Sequence, residues 1–381
     1  MRILFFLRNL QTGGAERQFL QIMEGLQARG HEVLFATRTP GGGLSHLLPE
    51  SIPRHVLFQE AGTRLGKALE PARTPGKLRK LVRELRPDLV YTALYVNNAL
   101  AHRALQGTDT PLVWGLRNAR QPLSKLRAKA FDYNRKHAAD PVLAISNCHT
   151  GVEFHLESGF HFRDVRVVPN GIDGEVFRPA PEEGATFRET YDLPSDAFVI
   201  GCVGRLHEMK DHRTFLQAAE LFHREAPSAR FVCVGSGDAQ STFELERLTA
   251  ELGLTKVVTW AGAHRDMRSA YNAFDLVASS SVAEGFPNAL TEAQACGRPC
   301  VATDVGDCAV VLGEEGLLVS PGDPRAQAEA WSQMHGLSTE ERESLGAKAR
   351  ARMLSDFSLE RCAERTEAAL SEIAAPRNQP S

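Results

Sequence analysis

The feature that most constrains this chain is an alternation running along its whole length: short, unbroken apolar runs separated by longer amphipathic stretches. In the first 170 residues the runs fall at 3–7, 32–37, 89–94, 112–116, 142–146 and 166–168, with helical stretches such as 15–28, 75–85 and 122–137 between them. A short run that is apolar at every position suits a strand buried on both faces, the condition of a parallel sheet covered by helices. The pattern then restarts. Runs at 198–203, 229–234, 257–260, 276–279, 299–303 and 317–319 alternate with helical stretches at 211–225, 240–252, 289–296 and 324–336. The expected fold is α/β, with two doubly wound Rossmann-like domains facing across a cleft. The join is expected within 178–197, where Pro, Gly and charge mix, which gives domains of 1–178 and 179–358. A last amphipathic stretch, 359–373, has no strand after it.

A chain of 381 residues can bury two sizeable cores without disulfides or a structural metal. Its seven cysteines are scattered, mostly in apolar runs and never as a C-x-x-C pair, which suits a reducing cytoplasm. At the N-terminus the apolar run 3–7 is stopped by Arg8 and Asn9, too short for a signal peptide, and no stretch approaches a spanning helix. A cytoplasmic protein, at most peripheral on the inner face of the cytoplasmic membrane, is expected. The net charge of −3 hides an asymmetry: residues 1–170 carry 24 Lys and Arg against 14 Asp and Glu, so the remainder is strongly acidic. The basic stretches 64–86 and 117–136 read either as solvated helix faces or as a surface for anionic lipid. Their only aromatics are Phe131 and Tyr133, so nucleic acid is not an expected partner.

In doubly wound sheets ligands meet the loops that follow the strands. The most informative is Glu284-Gly285-Phe286-Pro287-Asn288-Ala289-Leu290-Thr291-Glu292, where two carboxylates bracket a glycine-containing loop and the start of a helix. Carboxylates accept from sugar hydroxyls, and helix-terminal N–H groups can hold phosphate or sugar oxygens. The plainer reading makes Glu292 a stabiliser of the helix's first turn. After the first strand of the second half come Gly204-Arg205-Leu206 and then Lys210, a fork and a mobile point charge that could meet two phosphates. Arg205 could instead pair with Asp238 or Glu284. Gly13 and Gly14, after Thr12 and between the first strand and first helix, would let a ligand approach the backbone.

These segments together resemble the family 4, or group 1, retaining glycosyltransferases of the GT-B fold. Glu284 and Glu292 stand as the E-x7-E pair, GRL with Lys210 as the diphosphate-neutralising segment, and Gly13-Gly14-Ala15-Glu16 as the N-terminal glycine loop. Weaker landmarks are Pro169-Asn170-Gly171-Ile172-Asp173, Val234-Gly235-Ser236-Gly237-Asp238 and Asp304-Val305-Gly306-Asp307. The resemblance implies Glu284, Arg205 and Lys210 as catalytic residues. It implies donor contacts from Gly13, Gly14, Gly204, Gly237, Phe286, Pro287, Asn288, Ala289, Leu290 and Glu292. It also implies that 359–381 returns to the first domain. The expected activity is transfer of a sugar from a nucleoside-diphosphate-sugar to a glycan or lipid-linked acceptor in cell-envelope polysaccharide or lipopolysaccharide synthesis. UDP is the expected carrier, by its frequency in the family, with GDP as the alternative.

One position departs from the pattern. Val96 stands where many members carry a histidine near the donor sugar. Asn97 and Asn98 are candidate substitutes, with Arg117 as a further acceptor-side residue. The departure keeps open a second reading, a catalytically silent subunit supporting an active partner. No Asp-x-Asp-like pair occupies a comparable loop, so neither a metal nor another cofactor is expected. A nicotinamide dehydrogenase would share the topology, but Gly235-Ser236-Gly237-Asp238-Ala239-Gln240 lacks the third glycine of G-x-G-x-x-G.

Overall fold

The computed structural model describes residues 1–11, 13–59, 64–117 and 124–374, the side chains of 64–68 and 374 excepted. Thr12, Arg120 and the start of the 122–137 stretch lie outside the described residues. The chain divides into two compact units, Met1–Gly171 with the segment from Leu359 onward, and Ile172–Ser358.

In the first unit β1 (Arg2–Leu7), β2 (Glu32–Thr37), β3 (Arg54–Val56), β4 (Leu89–Ala93), β5 (Leu112–Leu116), β6 (Leu143–Ser146) and β7 (Val165–Val167) alternate with α1 (Gly14–Ala28), α2 (Arg64–Leu85), α3 (Tyr95–Leu105), α4 (Lys125–Lys136) and α5 (His149–Glu157). The strands form one parallel sheet in the order β3-β2-β1-β4-β5-β6-β7. Successive side chains of β1 explain its unbroken apolar run. Ile3, Phe5 and Leu7 enter a core with Phe19, Met23 and Tyr91, while Leu4 and Phe6 enter the opposite core with Leu78, Leu100 and Trp114.

Helix α2 begins well before the 75–85 stretch and runs through Pro71 and Pro75. Each ring removes one i→i−4 bond, so local propensity favours a later start. Packing overrides it: Leu78 and Val82 are buried, and Arg79 donates to the carbonyls of Ala104 (2.7 Å) and Gln106 (3.0 Å) at the end of α3.

The second unit holds β8 (Val199–Val203), β9 (Arg230–Val234), β10 (Val258–Gly262), β11 (Leu276–Ser279), β12 (Cys300–Thr303) and β13 (Gly316–Val319). Its helices are α6 (Pro181–Thr190), α7 (His212–Glu225), α8 (Ala239–Glu251), α9 (Met267–Ala273), α10 (Asn288–Ala295), α11 (Cys308–Leu312), α12 (Pro324–Gly336) and α13 (Thr339–Asp356). The sheet is parallel in the order β10-β9-β8-β11-β12-β13. Phe215, Phe222, Phe231 and Trp331 fill one face.

The 178–197 stretch, expected to hold the join, instead carries α6. Pro181 opens it, Glu182 and Glu183 occupy its first turn, and it packs on α9 within the second unit. Arg188 then donates to the carbonyls of Ala273 (2.8 Å) and Ala197 (3.2 Å) and pairs with Asp275 at 2.8 Å. The division falls earlier, inside the Pro-Asn-Gly-Ile-Asp turn. Gly171 exchanges two hydrogen bonds with the Gln18 amide, at 2.9 and 3.1 Å, in the first unit. Ile172 N–H donates to Phe357 at 2.7 Å in the second.

The final helix, α14 (Leu359–Ala374), belongs to the first unit and packs on α1. A Cβ on Gly25 would lie 2.5 Å from that of Ala363, so glycine permits the close approach. Glu367 adds bonds from Arg29 (2.5 Å) and His31 (2.8 Å). Among the described residues no helix is long and apolar enough to cross a membrane.

Candidate active site

Each sheet reverses its strand order once, between β1 and β4 in the first unit and between β8 and β11 in the second. Beyond the carboxyl ends of such a pair the flanking loops diverge and leave a crevice. In the second unit those loops are 204–210, after β8, and 280–287, after β11. They are the segments whose residue types had suggested chemistry.

A cavity of about 360 Å³ opens there, lined from the first loop by Gly204, Arg205 and Lys210, from the second by Glu284 and Phe286, and from α10 by Asn288, Ala289 and Glu292. The Lys210 ammonium donates to Glu284 Oε1 at 2.5 Å. The same oxygen accepts from Ser281 Oγ at 2.6 Å. Both partners are shielded, the Lys210 side chain 26% and the Glu284 side chain 11% exposed. Arg205 is exposed at the cavity wall. The ion pair open to Arg205 in the sequence is thus made by Lys210 with Glu284.

The backbone holds these groups in place. After the short 3-10 turn Glu208–Lys210, Asp211 takes a left-handed conformation (φ 43°) and caps α7 through Thr214 N–H. Val282 N–H donates to Met209 at 2.9 Å, tying the two loops together. Asp307 N–H donates to Gly285 at 3.0 Å, and Gly306, at φ 60°, lies so close that a Cβ would meet Glu284 O at 2.6 Å. Helix α10 starts after Pro287, which caps it with no side-chain hydrogen bond. Its positive end, at Asn288 and Ala289, therefore borders the cavity.

Glu292, one turn into α10, accepts from the Tyr271 hydroxyl at 2.8 Å. Burial, reinforced by the neighbouring Glu292 carboxylate, holds the Tyr271 phenol well above its ordinary pKa, so it stays a donor. On the other side of the site burial, with Lys210 adding repulsion, pushes His212 down to about 4, leaving it neutral.

Other predicted positions serve the frame. Pro287 and Leu290 are buried at the helix start. Gly237 bridges to Leu206, where a Cβ would come within 2.7 Å. In the first unit Gly13 is the N-cap of α1 and Gly14 its first residue, on the loop after β1 and so at that sheet's own reversal point.

The acceptor-side candidates are committed inward. Asn97 and Asn98 are buried, their amides donating to Ala93 O at 2.8 Å and Gly115 O at 3.4 Å. Arg117 donates to Asn170 Oδ1 (3.0 Å) and Tyr91 Oη (3.3 Å) and lies 5.4 Å from the Phe19 ring centre. Val96 packs on the apolar cluster of the same unit. Side-chain direction at the start of a helix is a tertiary property, invisible in residue type. Sequence reasoning passed over Tyr271 and Ser281, which position the two glutamates, and named Gly306 only within the Asp304-Val305-Gly306-Asp307 landmark; the Ser279-Ser280-Ser281 run at the end of β11 offered a signal for Ser281.

The second unit's site joins a basic loop to a carboxylate-bracketed helix start, groups that suit phosphate and sugar oxygens, and comparison with known proteins places the chain among glycosyltransferases. Residues 12–176 match the profile described as Glycosyltransferase Family 4, and residues 197–336 that described as Glycosyl transferases group 1. The chain belongs to this family of glycosyltransferases and has its GT-B fold.

Among curated relatives, a D-inositol 3-phosphate glycosyltransferase of Corynebacterium urealyticum is 37% identical over 191 residues, 47% of this chain and 45% of the relative. The protein of the same description in Mycobacterium tuberculosis is 35% identical over 203 residues, 51% of this chain and 41% of the relative. These matches thus span less than half the length of the relatives.

Among solved structures, Anabaena HepE in complex with UDP superimposes with TM-score 0.81 at 23% identity, covering 98% of this chain and 100% of HepE. WaaG, a glycosyltransferase involved in lipopolysaccharide biosynthesis, does so with TM-score 0.71 at 15% identity, covering 96% and 99%. At these identities the likeness is one of fold.

Proposed function

We propose that the chain transfers a sugar from a UDP-sugar to a hydroxyl of a glycan or lipid-linked acceptor, retaining anomeric configuration and without a metal ion. The observation carrying this reading is the convergence of Arg205, Lys210, Glu284, Glu292 and the start of α10 on one cavity. In the transfer the anomeric carbon–oxygen bond to the diphosphate breaks and the acceptor oxygen bonds to the same face of that carbon. The acceptor proton passes to a diphosphate oxygen. Negative charge gathers on the leaving diphosphate, and Lys210, Arg205 and the α10 dipole are assigned to stabilise it. Glu284 orients Lys210 and offers a carboxylate to sugar hydroxyls; Glu292, oriented by Tyr271, is assigned to the ribose. The UDP complex of HepE supports the choice of nucleotide, and WaaG supports an envelope glycan as acceptor.

The test is a panel of UDP- and GDP-sugars with purified protein, with and without chelator, reading nucleotide release, binding and product stereochemistry. One UDP-sugar should be consumed selectively, unchanged by chelator, with a retained anomer. Glu292→Ala should weaken UDP binding at least about tenfold, as expected when a charge-assisted hydrogen bond is lost. It should also cost about 1–3 kcal/mol of stability by orphaning the buried Tyr271 hydroxyl. Glu292→Gln, which keeps an acceptor for Tyr271, should recover most of the stability. Binding without turnover on any acceptor would favour the silent-subunit reading, for which Val96 is the motivating residue.

The acceptor side is proposed to meet an anionic membrane surface. Helix α4 exposes Lys125, Leu126, Arg127, Lys129, Arg135 and Lys136, an apolar residue among cations. The protein should sediment with vesicles containing anionic lipid and be released by salt. Equal sedimentation with neutral vesicles would reject the electrostatic contact.

A further inference from the structure

Three side chains from two segments of the first unit converge on one point. His102 lies in the last turn of α3, His137 caps the end of α4, and Asp140 follows in the turn leading to β6. Asp140 Oδ2 lies 2.9 Å from His102 Nε2 and 2.9 Å from His137 Nδ1. The three atoms all fall within 4.8 Å of one another. Two imidazole nitrogens and one carboxylate oxygen form a borderline-soft donor set, suited to zinc and its neighbours rather than to calcium or magnesium.

The surroundings are those of a ligand set. The far nitrogen of His102, Nδ1, lies 2.9 Å from the Tyr133 hydroxyl, an outer partner that orients the ring and can hold the tautomer leaving Nε2 unprotonated. His102 is buried. A cavity of about 470 Å³ adjoins His102 and Asp140 and is walled by residues 108–112 and Val142, leaving room for a water as a further ligand. The turn itself is closed by Asp140 N–H to His137 O at 3.2 Å, so His137 and Asp140 are held together by backbone. One feature opposes a cation: Arg103, whose guanidinium lies 4.4 Å from the Tyr133 ring centre. It stacks on that ring from the residue next to His102 and is always charged.

We propose that His102, His137 and Asp140 form a binding site for a zinc-class divalent transition metal ion, which would pin the ends of α3 and α4 to the turn before β6. Binding balances without net proton release: each neutral imidazole moves its proton to the other nitrogen, and Tyr133 changes from donor to acceptor toward His102. The proposal is independent of the transferase reading, whose cationic groups lie in the second unit.

The test uses the full chain, stripped with chelator and exchanged into chelator-free buffer, titrated with Zn²⁺ by calorimetry and with Co²⁺ by visible absorption. One ion per chain, intense Co²⁺ ligand-field bands and a Zn²⁺-dependent rise in Tm are expected. His137→Ala and Asp140→Asn alter partly exposed side chains and should fold normally, by circular dichroism, while losing the bands and the Tm rise. Tyr133→Phe should weaken binding by roughly 10–100-fold, as loss of an outer-shell partner does. His161→Ala, at an exposed histidine, should leave binding unchanged. Absent binding, or binding equal to wild type in both His137→Ala and Asp140→Asn, would overturn the proposal and leave the trio a hydrogen-bonded brace.

Discussion

Lys210→Ala should lower kcat for sugar transfer by about 10²–10³-fold, the cost of removing one preorganised group that stabilises transition-state charge. Lys210 is the cation held most firmly at the cavity, through its 2.5 Å bond to Glu284. Arg205, exposed on the wall, is less constrained and should compensate only in part. The substitution also leaves Glu284, 11% exposed, without its cation. A fully buried pair broken on one side costs about 3–5 kcal/mol, but partial solvent access to Lys210 reduces the expectation to about 1–2 kcal/mol. Ser281 remains to hold the carboxylate.

Single-turnover rates and chemical denaturation separate the two effects. A rate loss far larger than the stability loss assigns Lys210 to the chemistry. Turnover within about threefold of wild type would remove Lys210 from the mechanism, since an electrostatic role predicts a far larger loss. Glu284→Gln and the double variant complete a cycle in which a large coupling energy is expected, because the two side chains are in direct contact.

Gly235→Ala should be the most damaging small substitution in the second unit. At φ 152° glycine is favoured, and a Cβ would lie 1.8 Å from Gly204 O, inside any tolerable contact. Loop 204–206 also runs beside 234–237, through Gly204 N–H to Val234 O (2.9 Å) and Leu206 N–H to Ser236 O (3.0 Å). Relief of the clash must move Gly204, and Arg205 with it. A loss of about 3 kcal/mol or more is expected, with a fall in Tm of roughly 6–12 °C for a unit of this size. Gly253→Ala is the control: it shares a positive φ, 71°, but a Cβ there meets nothing within 4 Å, so only backbone strain, about 1 kcal/mol, is expected. Equal melting of the two variants would show that the loops are not packed as closely as described.

Much of this protein was readable from residue order. Short apolar runs bounded by turn residues suit strands covered on both sides, so two parallel sheets were expected from the pattern, and most strand positions agree to within a residue or two. The loop at 284–292 and the GRL segment with Lys210 were equally legible, because charged side chains and glycines directly after buried strands have few reasons to be there except chemistry. Expectation departed from structure where long-range contact outweighs local preference. Helix α2 runs through two prolines because its far end is packed and bonded to α3. The 178–197 stretch carries α6 of the second unit, held there as Arg188 reaches Asp275.

What only the tertiary structure decided is which groups meet. Residue type placed Asn97, Asn98 and Arg117 among candidate contacts, and only the structure shows the bonds they make to Ala93, Gly115, Asn170 and Tyr91. It gave no sign that Tyr271 would hold Glu292, or that His102, His137 and Asp140 would share one point. Strand order brings loops 204–210 and 280–287 to the same crevice although they are distant in sequence. Periodicity reports how each segment is buried; which buried segments become neighbours depends on the order in which the strands pair, a property of the whole chain.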